Sequence, residues 1–207
     1  MPGASRRSAT TERLSHLLED LASSKPAPAG GSAAAAVIAV AAALLEKVAQ
    51  LSVKQWDGAR AAKARAHRLR LRSEELIEKD VQAYVAYLAA TRSGRGLGSA
   101  RSATIDVPLD MIRRAVEVLD LAHELARSGN RNLRPDATTA AILAHASISA
   151  AAMIIQVNVG VQLRDPRLEE ALRLMRAASA SVRQLGARLP VDDRGRAQGR
   201  SSGSRRP

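Results

Sequence analysis

Apolar residues recur at intervals of three and four positions along most of the chain, the pattern of helices that bury one face. The pattern predicts six helices, at about residues 11–23, 32–53, 57–90, 100–127, 137–163 and 166–189. Alternating runs of β-branched or aromatic residues, the signature of strands, are nearly absent. We therefore predict an all-α, single-domain helical bundle over residues 11–189. Residues 1–10 and 190–207 are small, polar and basic, and we expect both segments to be disordered.

The second predicted helix is apolar nearly all round, which predicts a central, buried position. It follows residues 25–32, Lys-Pro-Ala-Pro-Ala-Gly-Gly-Ser. Gly30 and Gly31 permit close approach of another group, and Ser32 is a natural N-cap. The free N–H groups of such a turn suit an anion or a polarised carbonyl. The alternative is a tight loop that simply precedes a buried helix.

Asp80 differs from its neighbours in the third predicted helix because they are mostly apolar. It lies next to Val81 and one turn before Tyr84, so we expect its carboxylate to point into the protein. A buried carboxylate must be paired or have a raised pKa. The alternative is a surface aspartate that pairs with a nearby arginine.

Polar side chains also occur at both ends of the fifth predicted helix. Asp136 follows a polar loop and can cap the start of the helix. Gln156 and Asn158 lie among apolar residues in its later half. Because a buried amide needs hydrogen-bond partners, either a neighbouring helix or a ligand supplies them.

The composition narrows the possible chemistry. The 207 residues include no cysteine, which excludes disulfides, thiolate catalysis and cysteine-bound metals. The four histidines are scattered without the spacing of a metal site. No apolar segment follows the N-terminal arginines, and the longest wholly apolar run, residues 33–45, is too short to span a membrane. We therefore expect a cytoplasmic protein with no membrane partner and no bound metal.

The chain is strongly basic, with a formal net charge of +12. Five arginines and two aspartates give the segment after Leu189 a net charge of +3, which leaves +9 for residues 1–189. A basic surface suits nucleic acid or a small polyanion. A basic helical nucleic-acid binder is thus an alternative, although only Trp56, Tyr84 and Tyr87 can stack on bases.

Taken in order, the motifs resemble those of the cyclodeaminase/cyclohydrolase family of folate enzymes. This family includes the C-terminal domain of formiminotransferase-cyclodeaminase and the stand-alone methenyltetrahydrofolate cyclohydrolases. Residues 26–32, Pro-Ala-Pro-Ala-Gly-Gly-Ser, and the alanine-rich helix after them are similar to the family's Pro-Ala-Pro-Gly-Gly-Gly-Ser and its helix. Residues 80–84, Asp-Val-Gln-Ala-Tyr, resemble an acidic motif in which Ala-Phe follows the aspartate.

Three further motifs follow in the same order. Arg101 and residues 108–109, Pro-Leu, match an arginine and a Pro-Leu pair of the family. Asn130 and residues 135–137, Pro-Asp-Ala, resemble an asparagine and a Ser-Asp-Ala loop. Residues 154–158, Ile-Ile-Gln-Val-Asn, resemble an Asn-Val-x-Ile-Asn helix. Asp165 follows that helix as in the family, and the resemblance covers roughly residues 11–187.

The resemblance implies an enzyme of folate one-carbon chemistry. A cyclohydrolase adds water to 5,10-methenyltetrahydrofolate and opens it to 10-formyltetrahydrofolate. A cyclodeaminase closes formiminotetrahydrofolate to the methenyl form with loss of ammonia. Both reactions pass through a tetrahedral carbon and need proton transfer, so we expect no prosthetic group. The sequence holds no formiminotransferase domain, which favours the cyclohydrolase over the cyclodeaminase.

The resemblance also implies roles for particular residues. Asp80 is the expected proton-transfer group, since a carboxylate on an apolar helix face can be tuned toward neutral pH. Backbone N–H groups of residues 30–32, Gly-Gly-Ser, would hold polar groups of the ligand. Asp136 and Asn158 are candidates for recognising the pterin or the one-carbon unit. Arginines would attract the glutamate tail of the folate by long-range steering, and the family implies a homodimer with its site near the subunit interface.

Three residues depart from the family's motifs. Ala29 replaces a glycine, Pro135 a serine and Ile154 an asparagine. These departures leave open a further alternative, a catalytically inactive relative that serves as a structural or regulatory partner.

Overall fold

The computed structural model describes residues 9–160 and 164–186, which form six α-helices and no strand. The helices are α1 (Ala9–Leu21), α2 (Gly30–Gln50), α3 (Ala59–Ser93), α4 (Leu97–Ser128), α5 (Arg134–Val159) and α6 (Pro166–Gly186). The all-α prediction with six helices is confirmed. Ala9 and Thr10, which we expected in a disordered segment, are the first residues of α1. The other predicted disordered residues, and the predicted ends of the last two helices, lie outside the described residues.

Helix α2 lies at the centre of the bundle, where it contacts α3, α4 and α5. Ala35, Ala41 and Ala42 are fully buried, and their small side chains allow neighbouring helices to approach closely. One face of α2 is nevertheless open to solvent, and Val40 on that face is 57% exposed. The prediction of a helix buried on all sides therefore holds for the inner face alone.

Two helix starts differ from the predicted ones. Helix α2 begins at Gly30, and its N-cap is the extended Ala29, so Ser32 lies inside the first turn. Helix α5 begins at Arg134 after Leu133, so Asp136 lies in its first turn and is not its N-cap. Both cap predictions are wrong. The Ser32 hydroxyl has a tertiary partner, and Pro135 fixes the start of α5 because its φ is preset for a first helical turn.

A buried serine ties the far end of α2 to the segment before α5. The Ser52 hydroxyl donates to the Val48 carbonyl at 2.7 Å and accepts from the Asn130 N–H at 2.9 Å. The Asn130 side chain also caps a short 3-10 helix, Arg131–Leu133, through the Asn132 N–H. As a result α2 runs from Gly30 toward Asn130, and α5 returns in the opposite direction.

Helix α2 and the stretch of residues 131–159 are long and apolar enough to cross a membrane by length and composition alone. In both, about half of the most apolar window is buried inside the protein, 56% and 44% respectively. Core helices of soluble proteins meet the same criteria, so these two helices are weak evidence for a membrane protein.

Candidate functional site

A cavity of about 240 Å³ lies where the start of α2, the second half of α3, the start of α4 and the end of α5 meet. It is lined by Pro26, Ala27, Ala29, Gly30, Gly31, Asp80, Ala83, Tyr84, Thr104, Ile154 and Asn158. The lining is mostly apolar, with a few polar groups that converge on it, which is typical of a small-molecule site.

Asp80 supplies the carboxylate of this cavity. The Ser32 hydroxyl donates to its Oδ2 at 2.8 Å. Burial raises the pKa of Asp80, and hydrogen bonds from the side chain and backbone of Ser32 partly oppose that rise. The start of α2, whose first backbone N–H groups have no partner within the helix, faces the same carboxylate and favours its charged form. A carboxylate of raised pKa can both accept and return a proton near neutral pH.

Gly31 limits the position of this carboxylate. A Cβ atom at Gly31 would lie 2.1 Å from Oδ1 and 2.6 Å from Cγ of Asp80. No L-residue with a side chain fits there unless the carboxylate moves. Gly30 differs, because a Cβ there would meet nothing within 4 Å in the free protein. Glycine at position 31 therefore allows the backbone of α2 to lie close to the Asp80 carboxylate.

Asn158 lies across the cavity and is held by α4. Its Nδ2 donates to the Thr104 carbonyl at 2.8 Å. Arg101 donates from Nε to the Asn158 carbonyl at 3.0 Å and from Nη2 to the Val159 carbonyl at 2.8 Å. These bonds satisfy the last carbonyls of α5 and fix the side-chain amide. Its Oδ1 has no hydrogen-bond partner among the described residues and so can accept from a ligand.

Asp136 does not belong to the cavity of its own chain. It lies in the first turn of α5, 22 positions before Asn158. At 1.5 Å per residue this places it about 33 Å away along the helix axis. The structure thus brings Gly30, Gly31, Ser32, Asp80 and Asn158 together within one chain and leaves Asp136 at the opposite end of the bundle.

Seven residues of the cavity wall were not among the predicted site residues: Pro26, Ala27, Ala29, Ala83, Tyr84, Thr104 and Ile154. Tyr84 and Ile154 both contribute apolar surface, and each lies four positions from a predicted site residue on the same helix face. That i, i+4 relation to Asp80 and Asn158 is the signal that identifies them. The placement of Thr104 carries no comparable signal, because it depends on how α4 packs against α5.

Many cations of the basic surface are engaged in ion pairs. Arg113 pairs with Glu170 at 2.9 Å, and Arg167 pairs with Asp106 and Asp165 at 2.9 and 2.6 Å. Consistent with this, the carboxylates lower the free energy of the charged guanidinium and raise the pKa of Arg167. Pairing reduces the cationic surface available to a polyanion. In the described part of the chain no group of three His, Asp or Glu side chains is placed to hold a metal ion.

The chain is similar to proteins of known function. A model of the formiminotransferase-cyclodeaminase family matches residues 13–177, most of the chain. The chain belongs to the formiminotransferase-cyclodeaminase family. It is 33% identical to a methenyltetrahydrofolate cyclohydrolase of Methylorubrum extorquens strain AM1, over 83% of this chain and 93% of that protein. It is also similar to the crystal structure of formiminotetrahydrofolate cyclodeaminase from Thermotoga maritima, with a TM-score of 0.76 and 28% identity over 84% of this chain and 96% of that one.

The departures from the motifs of the formiminotransferase-cyclodeaminase family have distinct positions. Ala29 and Ile154 line the cavity beside Gly30 and Asn158. Pro135 lies in the first turn of α5, far from it. The first two change the shape of the cavity wall, whereas all atoms that bond to the Asp80 carboxylate are retained.

Replacing Ser32 by alanine should move the acidic limb of the pH–rate profile to higher pH. The lost hydroxyl stabilises the charged form of Asp80, so its removal raises the pKa of Asp80 further. Activity that needs the ionised carboxylate is then lost at a higher pH than in the wild type. The measurement is kcat/KM against pH for Ser32→Ala and, as a control, for Ser99→Ala, whose hydroxyl bonds only to Gly96 at the exposed start of α4. Superimposable profiles would contradict the assignment of the limb to Asp80.

Proposed function

We propose that this protein hydrolyses 5,10-methenyltetrahydrofolate to 10-formyltetrahydrofolate. It is an enzyme of folate one-carbon chemistry. The observation that supports this reaction most directly is the half-buried Asp80, which Ser32 holds at the wall of a mostly apolar cavity. The relative that is 33% identical and named a methenyltetrahydrofolate cyclohydrolase supports this reaction.

The chemistry needs one group that takes and returns a proton. The substrate is a cation whose positive charge is shared by N5, the bridging carbon and N10, and the Asp80 carboxylate attracts it. Water attacks the bridging carbon and transfers a proton to Asp80, which forms a neutral tetrahedral carbinol. The carbon–N5 bond then breaks, Asp80 returns its proton to N5, and the hydroxyl group releases its proton to solvent as the formyl C=O forms. One proton is released per turnover, and Asp80 ends ionised.

The other polar groups orient the substrate in this proposal. The Ser32 hydroxyl donates to Oδ2 of Asp80 and so fixes the carboxylate that receives the proton of the water. Asn158 Oδ1 accepts an N–H of the ligand, and the half-exposed ring of Tyr84 offers a flat apolar surface to an aromatic ring. Exposed arginines steer the glutamate tail from a distance. We propose that the substrate is a tetrahydrofolate derivative and that the enzyme uses no prosthetic group. We also propose that the enzyme is located in the cytoplasm.

The cyclodeaminase reaction is the second candidate. It is favoured by the fold match to a formiminotetrahydrofolate cyclodeaminase. The same carboxylate would serve it, because ring closure also passes through a tetrahedral carbon and the leaving ammonia must be protonated.

A direct assay separates the two reactions. Purified protein is added to 5,10-methenyltetrahydrofolate, and loss of its near-ultraviolet absorbance is followed against the uncatalysed rate. We expect an acceleration that is proportional to the protein concentration. No acceleration, together with ammonia release from formiminotetrahydrofolate, would replace the first proposal by the second. Inactivity in both assays would indicate an inactive relative.

A homodimer is part of the proposal. Helices α2 and α5 leave an uncharged apolar surface exposed beside the cavity, and such a surface is typical of a protein–protein interface.

A further inference from the structure

A proline lies inside α4, in a position that helix geometry disfavours. Pro108 is buried and well past the first turn of this helix, Leu97–Ser128. A proline in the first turn costs little, because the N–H groups there have no partner within the helix. An interior proline removes one hydrogen bond, and its ring presses on the carbonyl four residues earlier. That residue is Thr104, so its carbonyl lacks the N–H donor that a regular helix supplies.

The released carbonyl has a donor on another helix. Nδ2 of Asn158 in α5 donates to the Thr104 carbonyl at 2.8 Å, and both residues line the cavity. Thr104 is buried, and a buried carbonyl without a donor is costly. The hydrogen bond that α4 lacks along its own axis is thus replaced by one to α5. The proline indicates which carbonyl is released, and only the packing of the two helices shows which group takes it.

This bond fixes which end of the Asn158 amide faces the cavity. A carboxamide has a donor end and an acceptor end. The donor end is engaged by the Thr104 carbonyl, and a turned amide would oppose two oxygens there. Arg101, one turn before Thr104, donates from Nε to the backbone carbonyl of the same asparagine at 3.0 Å. A single turn of α4 therefore holds both the side chain and the main chain of Asn158.

We infer that Pro108 is a positioning residue of the site: it releases the Thr104 carbonyl, which turns the Asn158 amide so that Oδ1 is presented to the ligand. The ligand must then offer an N–H group at this point of the cavity. This inference rests on the proposed function for the identity of the ligand, and the N–H donors of a reduced pterin ring fit that requirement. Departures from local sequence rules, such as an interior proline, are expected at functional sites.

The first test is the replacement of Pro108 by alanine. Pro108→Ala returns an N–H to position 108, which bonds to the Thr104 carbonyl and draws it back toward the axis of α4. Asn158 is then free to turn, and KM should rise by about 3- to 10-fold, the effect of one misplaced neutral hydrogen bond. Because Asp80 keeps its bond from Ser32, kcat should change little. A proline needed for folding alone would lower the active fraction and leave KM unchanged.

Two further variants separate the returned N–H from other effects. Pro108→Val also returns the N–H but retains three side-chain carbons, so it should raise KM as Pro108→Ala does if the N–H is the cause. Pro166→Ala is the matched control, since Pro166 is the exposed first residue of α6, where an N–H has no partner within the helix. Its KM should equal that of the wild type. A wild-type KM in both Pro108 variants would overturn the inference.

A double variant tests whether Pro108 acts through Asn158. Asn158→Ala removes the amide and should itself raise KM. Adding Pro108→Ala to Asn158→Ala should then have little further effect, because no amide remains to be misplaced. Increases in KM that multiply would show that Pro108 shapes the cavity by another route, and would overturn its role as a positioning residue for Asn158.

The same pair has a readout that needs no activity. Asn158→Ala leaves the Thr104 carbonyl without a donor, so it should lower the midpoint of thermal unfolding. In the Pro108→Ala background the N–H of residue 108 pairs that carbonyl, and the same substitution should lower the midpoint by much less. Equal shifts in the two backgrounds would overturn the inference. If the wild type acts on neither folate substrate, the proposed function and the pterin fail, while these unfolding midpoints still decide whether Pro108 and Asn158 are coupled.

Discussion

Asp80→Asn should lower kcat for methenyltetrahydrofolate hydrolysis by about 10²- to 10⁴-fold, the usual contribution of a positioned proton-transfer group. Asparagine has the shape of aspartate, and its amide oxygen can still accept from the Ser32 hydroxyl. Because an amide cannot take a proton from the attacking water, the loss should appear in kcat. KM should also rise, because the neutral amide no longer attracts the cationic substrate. The measurement is steady-state hydrolysis, followed by the absorbance of the substrate.

The folded state should not suffer from this change. Burial disfavours the charged form of Asp80 and raises its pKa, so a neutral amide at this position costs no more desolvation than the carboxylate. We therefore expect an unfolding midpoint equal to or above that of the wild type. Glu78→Gln, two positions earlier on the exposed side of α3, is the matched control and should retain full activity. Full turnover by a folded Asp80→Asn enzyme would place the proton transfer on another group.

The helices could be predicted from the sequence because each has a local cause. Apolar spacing marks every helix, and glycine or proline marks most of the boundaries. The start of α2 is the exception. Ser32 has the chemistry of an N-cap, but its hydroxyl bonds to Asp80, 48 positions later, and the helix begins two residues earlier after an extended Ala29. The hydroxyl bonds to a residue that is distant in the sequence and not to the backbone of its own helix. No local sequence pattern indicates this.

The sequence predicts which residues form the site better than it predicts how they are arranged. Asp80 and Asn158 differ from their apolar surroundings, which is visible in the sequence. That Gly31 touches the Asp80 carboxylate depends on the crossing of α2 and α3. For Asp136 the sequence suggests a site residue that the structure places elsewhere. The resemblance assigns Asp136 and Asn158 to the same site, but the length of α5 separates the two residues within one chain.

Gly31→Ala should cost the enzyme about 10²-fold or more in kcat/KM. The new Cβ would lie 2.1 Å from Oδ1 and 2.7 Å from Oδ2 of Asp80, so the carboxylate must move by about an ångström. A displacement of that size is enough to cost about 10²-fold in rate, because proton transfer depends on alignment with the reacting water. Gly98→Ala, in the first turn of α4 with nothing within 4 Å of its Cβ, is the control and should retain wild-type activity.

The double variant decides whether Gly31 acts through Asp80. If the alanine harms the enzyme by displacing the carboxylate, it has little left to harm once that carboxylate is gone. Gly31→Ala combined with Asp80→Asn should then be about as active as Asp80→Asn alone, a strong departure from additivity. Losses that multiply would show that Gly31 acts on the substrate independently, through the backbone N–H groups at the start of α2. Gly30→Ala, whose Cβ meets nothing in the free protein, reports obstruction of the substrate alone. Comparison with this variant therefore distinguishes displacement of the carboxylate from obstruction of the substrate.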